Sequence, residues 1–443
     1  MSDPDFINRH RLSKSAFTRK RSLDFSSLML YLLNFRKQSG QTELDQFFQY
    51  VKPQSSQQTP SQSALTQARS QLSSMAFKDL NHQLVAHLYT DVKRLKHWKK
   101  FRVCAIDGSM IRLPKSDNIM DNFTTHKGMN TIEGCPMALC SVFYDVLNRI
   151  IIDSTIDPAH TSERACALEH LHYSADNDLV LYDRGYGGFP LYAYHRQANK
   201  KFCARAKVNQ LKMAQAFVQK KCEIPRYKQK LKMAQAFVQS GAQQQIVTLE
   251  PSKYAIEQCK EYGVDYSPIK LRLIRVELAS EVEVLITNLM DEKSYPARCF
   301  KSLYFLRWGI EENYKRLKQW LEITNFSGKT ALSIQQDFFA KILVCNLTEI
   351  HCWAAQRKVN KRNQNRKLDY RVNFAQTTSK MKHWLVKLIA LSFDKTEHIA
   401  REIEPLIERI ALSVSAIRKG RKFARPLKNK AGSALSLEYK KCL

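Results

Sequence analysis

The sequence predicts an α/β protein with helical regions on either side of a strand-rich middle. Three observations carry this prediction. From Phe101 onward, short apolar runs of strand length are interleaved with one segment of helical period. A second strand-rich stretch lies between roughly Gln245 and Pro296. Before about residue 90 and after about residue 300, apolar residues recur at spacings of three and four.

In chain order, FTRKRSLDFSSLMLYLLNFRK has a basic start followed by an apolar helix, and TELDQFFQYV is a second amphipathic helix. The polar break PQSSQQTPSQ precedes PSQSALTQARSQLSSMAF, which reads as one further helix with a serine cap. Two short helices about a polar connection suit a small DNA-binding domain over residues 1–95, and equally a plain helical adaptor. FRVCAIDGSMIRLP is a strand that Asp107 closes. PMALCSVFYDVLNRIIIDSTIDP is a pair of strands reversed at Asp145-Val146-Leu147-Asn148. TSERACALEHLHYSA is a helix with Glu163 in its first turn, and DLVLYDRGYGGFP is a buried strand running into a glycine-rich loop. IVTLEPS, IKLRLIRVELA and EVEVLITNLMD are further strands, followed by a helical tract containing DFFAKILVCNLTEIHCWAA. The peptide LKMAQAFVQ occurs twice, at Leu211 and at Leu231. Two copies are too few for a solenoid, so the repeat reads as a duplicated helical insertion.

The formal charge of +30, from 71 Lys and Arg against 41 Asp and Glu, points to a polyanionic partner. Nucleic acid is the leading candidate, with a membrane surface or ribosome as the alternative. AIRKGRKFARPLKNKAGS near the C-terminus contains no acid and reads as a basic tail. The N-terminal segment lacks the apolar stretch of a signal peptide, and SSLMLYLLNF is too short to span a bilayer. Eleven cysteines without a CxxC pair fit a reducing cytoplasm and neither a disulfide framework nor a zinc site.

Phosphodiester chemistry without a covalent intermediate needs carboxylates converging from rigid elements around divalent cations. Asp107 in AIDGS and Asp183 in VLYDRGYGG each follow a buried strand, where α/β sheets place their ligands. A single aspartate in that position more often only starts a turn. The helix from Tyr304 to Leu321 carries an apolar stripe of Leu303, Leu306, Ile310, Tyr314, Leu317 and Leu321. A neighbouring stripe holds Tyr304, Arg307, Glu311, Lys315 and Lys318. It is either a solvated face with a Glu311–Lys315 pair or a metal ligand flanked by phosphate-binding groups.

The order Tyr304, Arg307, Glu311, Lys318 resembles the YREK signature of bacterial insertion-sequence transposases of the DDE class. AIDGSMIRLP and LVLYDRGY are similar to the first and second aspartate motifs of that family. FCARAKVN, LITNLMD and NFSGKTALSIQQDFFAKILVCNL resemble further family blocks in the same order, so the likeness runs from about Phe17 to the basic tail. The resemblance implies a ribonuclease-H-like core over residues 96–332, with a β-rich insertion at about 190–300 before the catalytic glutamate helix. A helical C-terminal region would occupy 333–443. It further implies that Asp107, Asp183 and Glu311 hold two Mg²⁺ ions, for which Mn²⁺ can substitute. Tyr304, Arg307, Lys318 and Arg205 would contact DNA phosphates.

The implied activity is cut-and-paste transposition by a cytoplasmic, nucleoid-associated homodimer acting on double-stranded DNA. The alternatives are a simple nuclease on the same fold and a catalytically silent DNA-binding derivative. Relatives that form hairpins stack a base on a tryptophan in the insertion. No Trp lies between Trp98 and Trp308 here, so a Tyr or Phe would have to serve or the hairpin step differs.

Overall fold

Eight strands form one sheet in the order β3-β2-β1-β4-β5-β8-β7-β6. They are β1 (Arg102–Arg112), β2 (Met137–Asp145), β3 (Ile150–Pro158), β4 (Asp178–Tyr182), β5 (Lys201–Arg205), β6 (Gln244–Leu249), β7 (Ile269–Glu277) and β8 (Val282–Thr287). Strands β1 to β3 form an antiparallel meander, β1, β4 and β5 run parallel, and β8 joins β5 antiparallel. The first five strands thus have the ribonuclease-H-like order. Strands β6 to β8 extend the same sheet rather than forming a separate one. This is a computed structural model. It describes residues 1–418 except 20, 35–38, 52–58, 91–94, 125–134, 207–227, 279–281 and 392–395.

The helices before the sheet are α1 (Pro4–His10), α2 (Phe25–Leu33), α3 (Gly40–Val51), α4 (Gln62–Arg69) and α5 (Met75–Leu88). Within and after it come α6 (Asp117–Phe123), α7 (Glu163–His170), α8 (Phe189–Gln197), α9 (Lys228–Gln239), α10 (Lys253–Glu261), α11 (Phe300–Phe305), α12 (Trp308–Gln319), α13 (Ala331–Arg362), α14 (Phe374–Leu391) and α15 (Thr396–Ala411). Among the described residues no helix is long and apolar enough to cross a membrane. Helix α9 contains the second LKMAQAFVQ copy. The first copy and most of the polar break after α3 and of the basic tail lie outside the described residues.

The β2–β3 hairpin turns where expected, because the buried Asp145 carboxylate accepts the amides of Leu147 and Asn148, both at 2.9 Å. Three readings are corrected. Ser61 caps α4 as expected, but the predicted single helix divides into α4 and α5. Leu72 leaves the helix to bridge Arg11, a long-range pairing that local periodicity does not encode. Asp107 does not close its strand: β1 continues to Arg112 because β2 pairs with it that far, after β4 has ended. The Tyr304–Leu321 helix is interrupted at Leu306–Arg307. There Leu306, Arg307, Gly309 and Ile310 each donate to the carbonyl three residues back, a tightened 3₁₀-type turn.

Side-chain alternation divides the core. Val103 and Ala105 of β1, Leu179 and Leu181 of β4 and Cys203 of β5 face α11, α12 and α13. Cys104, Ile106, Val180, Tyr182, Phe202 and Ala204 face the opposite layer, with α7 and α8. The N-terminal helices are bonded into the first layer. Arg69, at the end of α4, donates to Gln336, Ser333 and Asp337 of α13, with Asp337 at 3.1 Å. Asn81 of α5 donates to the Ile151 carbonyl of β3 at 3.2 Å and accepts from Asn346 at 2.8 Å.

A buried polar chain joins α5, β3, α7 and β2. Asp153, fully buried, meets Lys78 at 3.2 Å, His82 at 2.8 Å and His170 at 2.7 Å. The other ring nitrogen of His170 lies 2.9 Å from the Ser141 hydroxyl. The order Ser141, His170, Asp153 matches that of a hydrolytic triad, but all three are sealed from solvent and no substrate reaches them. Burial raises the carboxyl pKa of Asp153, yet hydrogen bonds from His170 and His82 and the charge on Lys78 outweigh it and hold the pKa well below the ordinary range. Such a depressed carboxylate contributes stability above about pH 4 that is lost as pH falls further. Asp153→Asn should therefore lower unfolding stability by about 3–5 kcal/mol at neutral pH, because the buried Lys78 ammonium loses its counter-charge. In urea titrations between pH 3 and 7 the variant should also show a shallower loss on the acid side than the parent.

Candidate active site

Parallel register places the first site residues. The β1–β4 pairing runs to Ala105 opposite Leu181, and the β4–β5 pairing runs through Leu181–Cys203 to Tyr182–Ala204. Continued along each strand, the same register sets Asp107 beside Asp183 and Asp183 beside Arg205. All three share parity with Ala105, Leu181 and Cys203, so their side chains rise on the α11–α12 face. Adjacent strands lie about 4.8 Å apart, so the two carboxylates are close neighbours. Asp107 and Asp183 are each partly exposed at this edge of the sheet.

Helices α11 and α12 cross above that edge. The Tyr304 hydroxyl donates to the Tyr182 carbonyl at 3.2 Å, fixing α11 over the end of β4. The Tyr314 hydroxyl lies 2.6 Å from the Asp107 carbonyl and 2.9 Å from that of Cys140, so it clamps α12 onto β1 and β2. The Lys318 ammonium donates to the Ser109 hydroxyl at 2.7 Å and the Met110 carbonyl at 3.3 Å. Between these anchors, Arg307 donates to Glu311 at 2.9 Å, one turn apart. The row facing the sheet is therefore Tyr304, Arg307, Glu311, Tyr314 and Lys318. Tyr314 had been assigned to the apolar stripe, and Lys315 is exposed instead of pairing with Glu311. The Tyr314 ring packs as expected; only its hydroxyl, which has no hydrophobic signature, reveals the second role.

The electrostatics follow from crowding acids at one edge. Burial pushes the Asp107 carboxyl up to about 6. The Gly108 amide and the charge on Arg307 oppose that rise, while Glu163 and Asp183 add to it. Glu163 is itself raised, first by burial and then by Asp183. Arg307 is almost fully buried, feels Asp183 as well as Glu311, and has an Nε atom without a partner. Arg205 reaches across to Glu283 of β8 at 2.8 Å. The Tyr304 hydroxyl, expected to meet a phosphate, is instead turned inward to a carbonyl.

Among the described residues, no three acidic, histidine or cysteine side chains stand close enough to hold a metal ion as they are. The donors nonetheless suit a hard divalent cation. They are carboxylates at the edge of a rigid sheet, and Asp107 carries the cost of its burial there, added to by Glu163 and Asp183, as a raised pKa. Glu311, with its carboxylate turned to Arg307 and about 44% exposed, would join the aspartates by exchanging that partner.

Every residue of this arrangement lies between Asp107 and Lys318, and the family model described as the Transposase DDE domain matches residues 98–347. The chain belongs to the transposase DDE domain family. It is 23% identical over 296 residues to the transposase InsG for insertion sequence element IS4 of Escherichia coli (strain K12), a match covering 64% of this chain. The chain spans about 60% of that relative's length. A piggyBac transposase synaptic complex with hairpin DNA overlays at a TM-score of 0.38 and 7% identity, over 88% of this chain and 79% of that one.

For this family member, the register brings Asp107, Asp183 and Arg205 together, and the helix row brings Tyr304, Arg307 and Lys318 to them. Glu311 arrives paired with Arg307. Sequence reasoning missed Glu163, read only as an acid in a first helical turn, and its one available signal was the glycine at position 108 beside an aspartate.

A raised pKa makes Asp107 a destabilising group once ionised. Its favourable contribution is complete below about pH 4 and is lost as pH rises through about 6. Asp107→Asn should therefore melt at a higher temperature than the parent at pH 8 in EDTA, by the equivalent of roughly 1–3 kcal/mol, and at the same temperature near pH 4. Differential scanning calorimetry across that range measures both.

Proposed function

We propose that the protein is a DNA transposase that cleaves the ends of its own insertion sequence and joins them to target DNA. The observation that carries this reading is that Asp107 and Asp183 each stand two residues past the last β1–β4 pair, under the helix of Glu311 and within the span of a transposase domain. Asp107, Asp183 and Glu311 would hold two Mg²⁺ ions, or Mn²⁺ in their place. These would supply Lewis-acid activation of the attacking oxygen and stabilisation of the leaving one.

The chain's own residues bind and orient. Arg307, which feels Asp183 and pairs with Glu311, becomes a bidentate clamp for a backbone phosphate once Glu311 turns to the aspartates. Lys318 offers a point charge beside Ser109, and Arg205 stands in the third strand of the row. Tyr304 contributes by fixing α11 on the Tyr182 carbonyl, and reaches a phosphate only if that bond opens. In the first step, water oxygen bonds to phosphorus and the P–O3′ bond breaks, with the proton passing to solvent. In the second, the freed 3′-hydroxyl attacks a new phosphodiester and displaces another 3′-oxygen, so one bond forms for each broken. The helices ahead of residue 95 would recognise the transposon end, and a homodimer would bring the two ends together.

The test uses the full chain with duplex DNA carrying the element's terminal inverted repeats. With Mg²⁺, the protein should cut at the repeat boundary and join the 3′ ends to a second duplex; cutting alone would leave a nuclease, and binding alone a silent derivative. Asp107→Asn, Asp183→Asn and Glu311→Gln should each slow cleavage by at least about 100-fold with end binding retained. Cleavage at the parental rate removes that residue from the site. Lys318→Ala should weaken end binding and lower the salt dependence, log K against log salt, by about one unit.

A further inference from the structure

We propose that Glu163 is a fourth carboxylate of the active site, acting on the same divalent cation as Asp107 and Asp183. This rests on reading the site as a metal-dependent phosphodiester-transfer centre and adds a residue that the three-acid pattern omits.

Glu163 reaches the site from the other side of the sheet. Helix α7 packs its Ala167 and Leu168 against the layer opposite α11 and α12. Its far end is pinned by His170, bonded to Asp153 of β3 at 2.7 Å and to Ser141 of β2 at 2.9 Å. Glu163 is seven residues before His170, two turns earlier on the same helical face. Ser141 pairs with Gly108 in the β1–β2 ladder, so the face that His170 fastens to Ser141 meets Gly108 at its other end.

The strand accommodates it by lacking a side chain. A Cβ on Gly108 would stand 2.9 Å from Glu163 Oε1 and 3.1 Å from its Cγ. The same carboxylate lies near Gly185 in the loop after Asp183, where a Cβ would be 4.0 Å from Oε2. Arg164 holds that loop by donating to the Gly185 carbonyl at 3.2 and 3.3 Å. No Lys or Arg among the described residues pairs with Glu163, and the one charge that acts on it is that of another acid, Asp183.

An independent observation points to a missing ligand. Tyr186, in the turn closed by its own amide on the Asp183 carbonyl, is buried with about 1% of its surface exposed, and its hydroxyl has no hydrogen-bond partner. The ionisable groups that act on it most are Glu163 and Asp107. A hydroxyl sealed from solvent within the field of two carboxylates can be satisfied by a cation-bound water or a phosphate oxygen.

The competing role is local: an acid in a first helical turn, beside a serine cap that makes no side-chain bond, stabilises its helix. Mn²⁺ binding by the full chain separates the two, measured by calorimetry and electron paramagnetic resonance without DNA, alongside end cleavage as a function of Mg²⁺ concentration. Glu163→Gln should weaken Mn²⁺ binding by about 10- to 100-fold and raise the Mg²⁺ needed for half-maximal cleavage in proportion, with Glu163→Asp intermediate. Gly108→Ala, which displaces the carboxylate without altering it, should shift both in the same direction and covers the case in which Glu163→Gln folds poorly. Parental Mn²⁺ affinity in Glu163→Gln or in folded Gly108→Ala, where Asp107→Asn has lost it, overturns the proposal alone. Parental affinity in Asp107→Asn as well, or no Mn²⁺ binding by the parent, overturns the metal-dependent reading beneath it.

Discussion

Carboxylates held in a partly buried sheet edge carry a cost, first from lost solvation and then from one another's charge, and the groups around them bear on both. At strand spacing, two full charges in an environment of effective dielectric near 20 oppose each other by roughly 3 kcal/mol. The fold sustains this with rigid backbone pairing and answers it with nearby cations. Arg307 is the central one, buried between Glu311 and the field of Asp183, and Asp107 still keeps a raised pKa. A guanidinium in that position serves the carboxylates as a counter-charge. Because its pairing with Glu311 spans a single helical turn, a small rotation of either side chain exchanges one arrangement for the other.

The scaffold gives each acid a separate anchor. Asp107 and Asp183 inherit their positions from a parallel register that cannot slip without turning every core side chain to the wrong face. Glu311 is carried by α12, which Tyr314 fastens to a main-chain carbonyl of β1, while Tyr304 fastens the preceding α11 to β4. Glu163 comes from the opposite layer on a helix fastened by His170. Because the anchors are backbone atoms and buried rings, the charged groups themselves remain available for chemistry.

Much of this was legible in the chain itself. Apolar runs around Val103 and Leu179 identified the strands, and a spacing of three and four identified the row from Tyr304 to Lys318. Apart from the local turn at Leu306–Arg307, the misreadings share one cause, since each depends on a partner distant in sequence. Asp107 lies mid-strand because β2 pairs beyond the end of β4, and α4 ends because Leu72 meets Arg11. Tyr314 carries an aromatic ring that periodicity assigns to the core, while its hydroxyl finds a carbonyl some two hundred residues away. Glu163 had the local appearance of a helix-start acid, and only the register of Ser141 against Gly108 reveals what it approaches.

The bonds from α4 and α5 into the sheet layer bear on how such a chain can be recombined. Arg69 is tied to α13, and Lys78 and His82 are tied through Asp153 to the helix that carries Glu163. The helices nearest the sheet in sequence are thus structural parts of the body that carries the candidate site. Exchange of N-terminal segments between relatives would preserve the buried ionic pairs only if the junction fell ahead of Arg69. A crossover at the apparent boundary near residue 95 would import an arginine, a lysine and a histidine whose partners belong to another lineage. Selection on shuffled elements should therefore favour joints well inside the helical region.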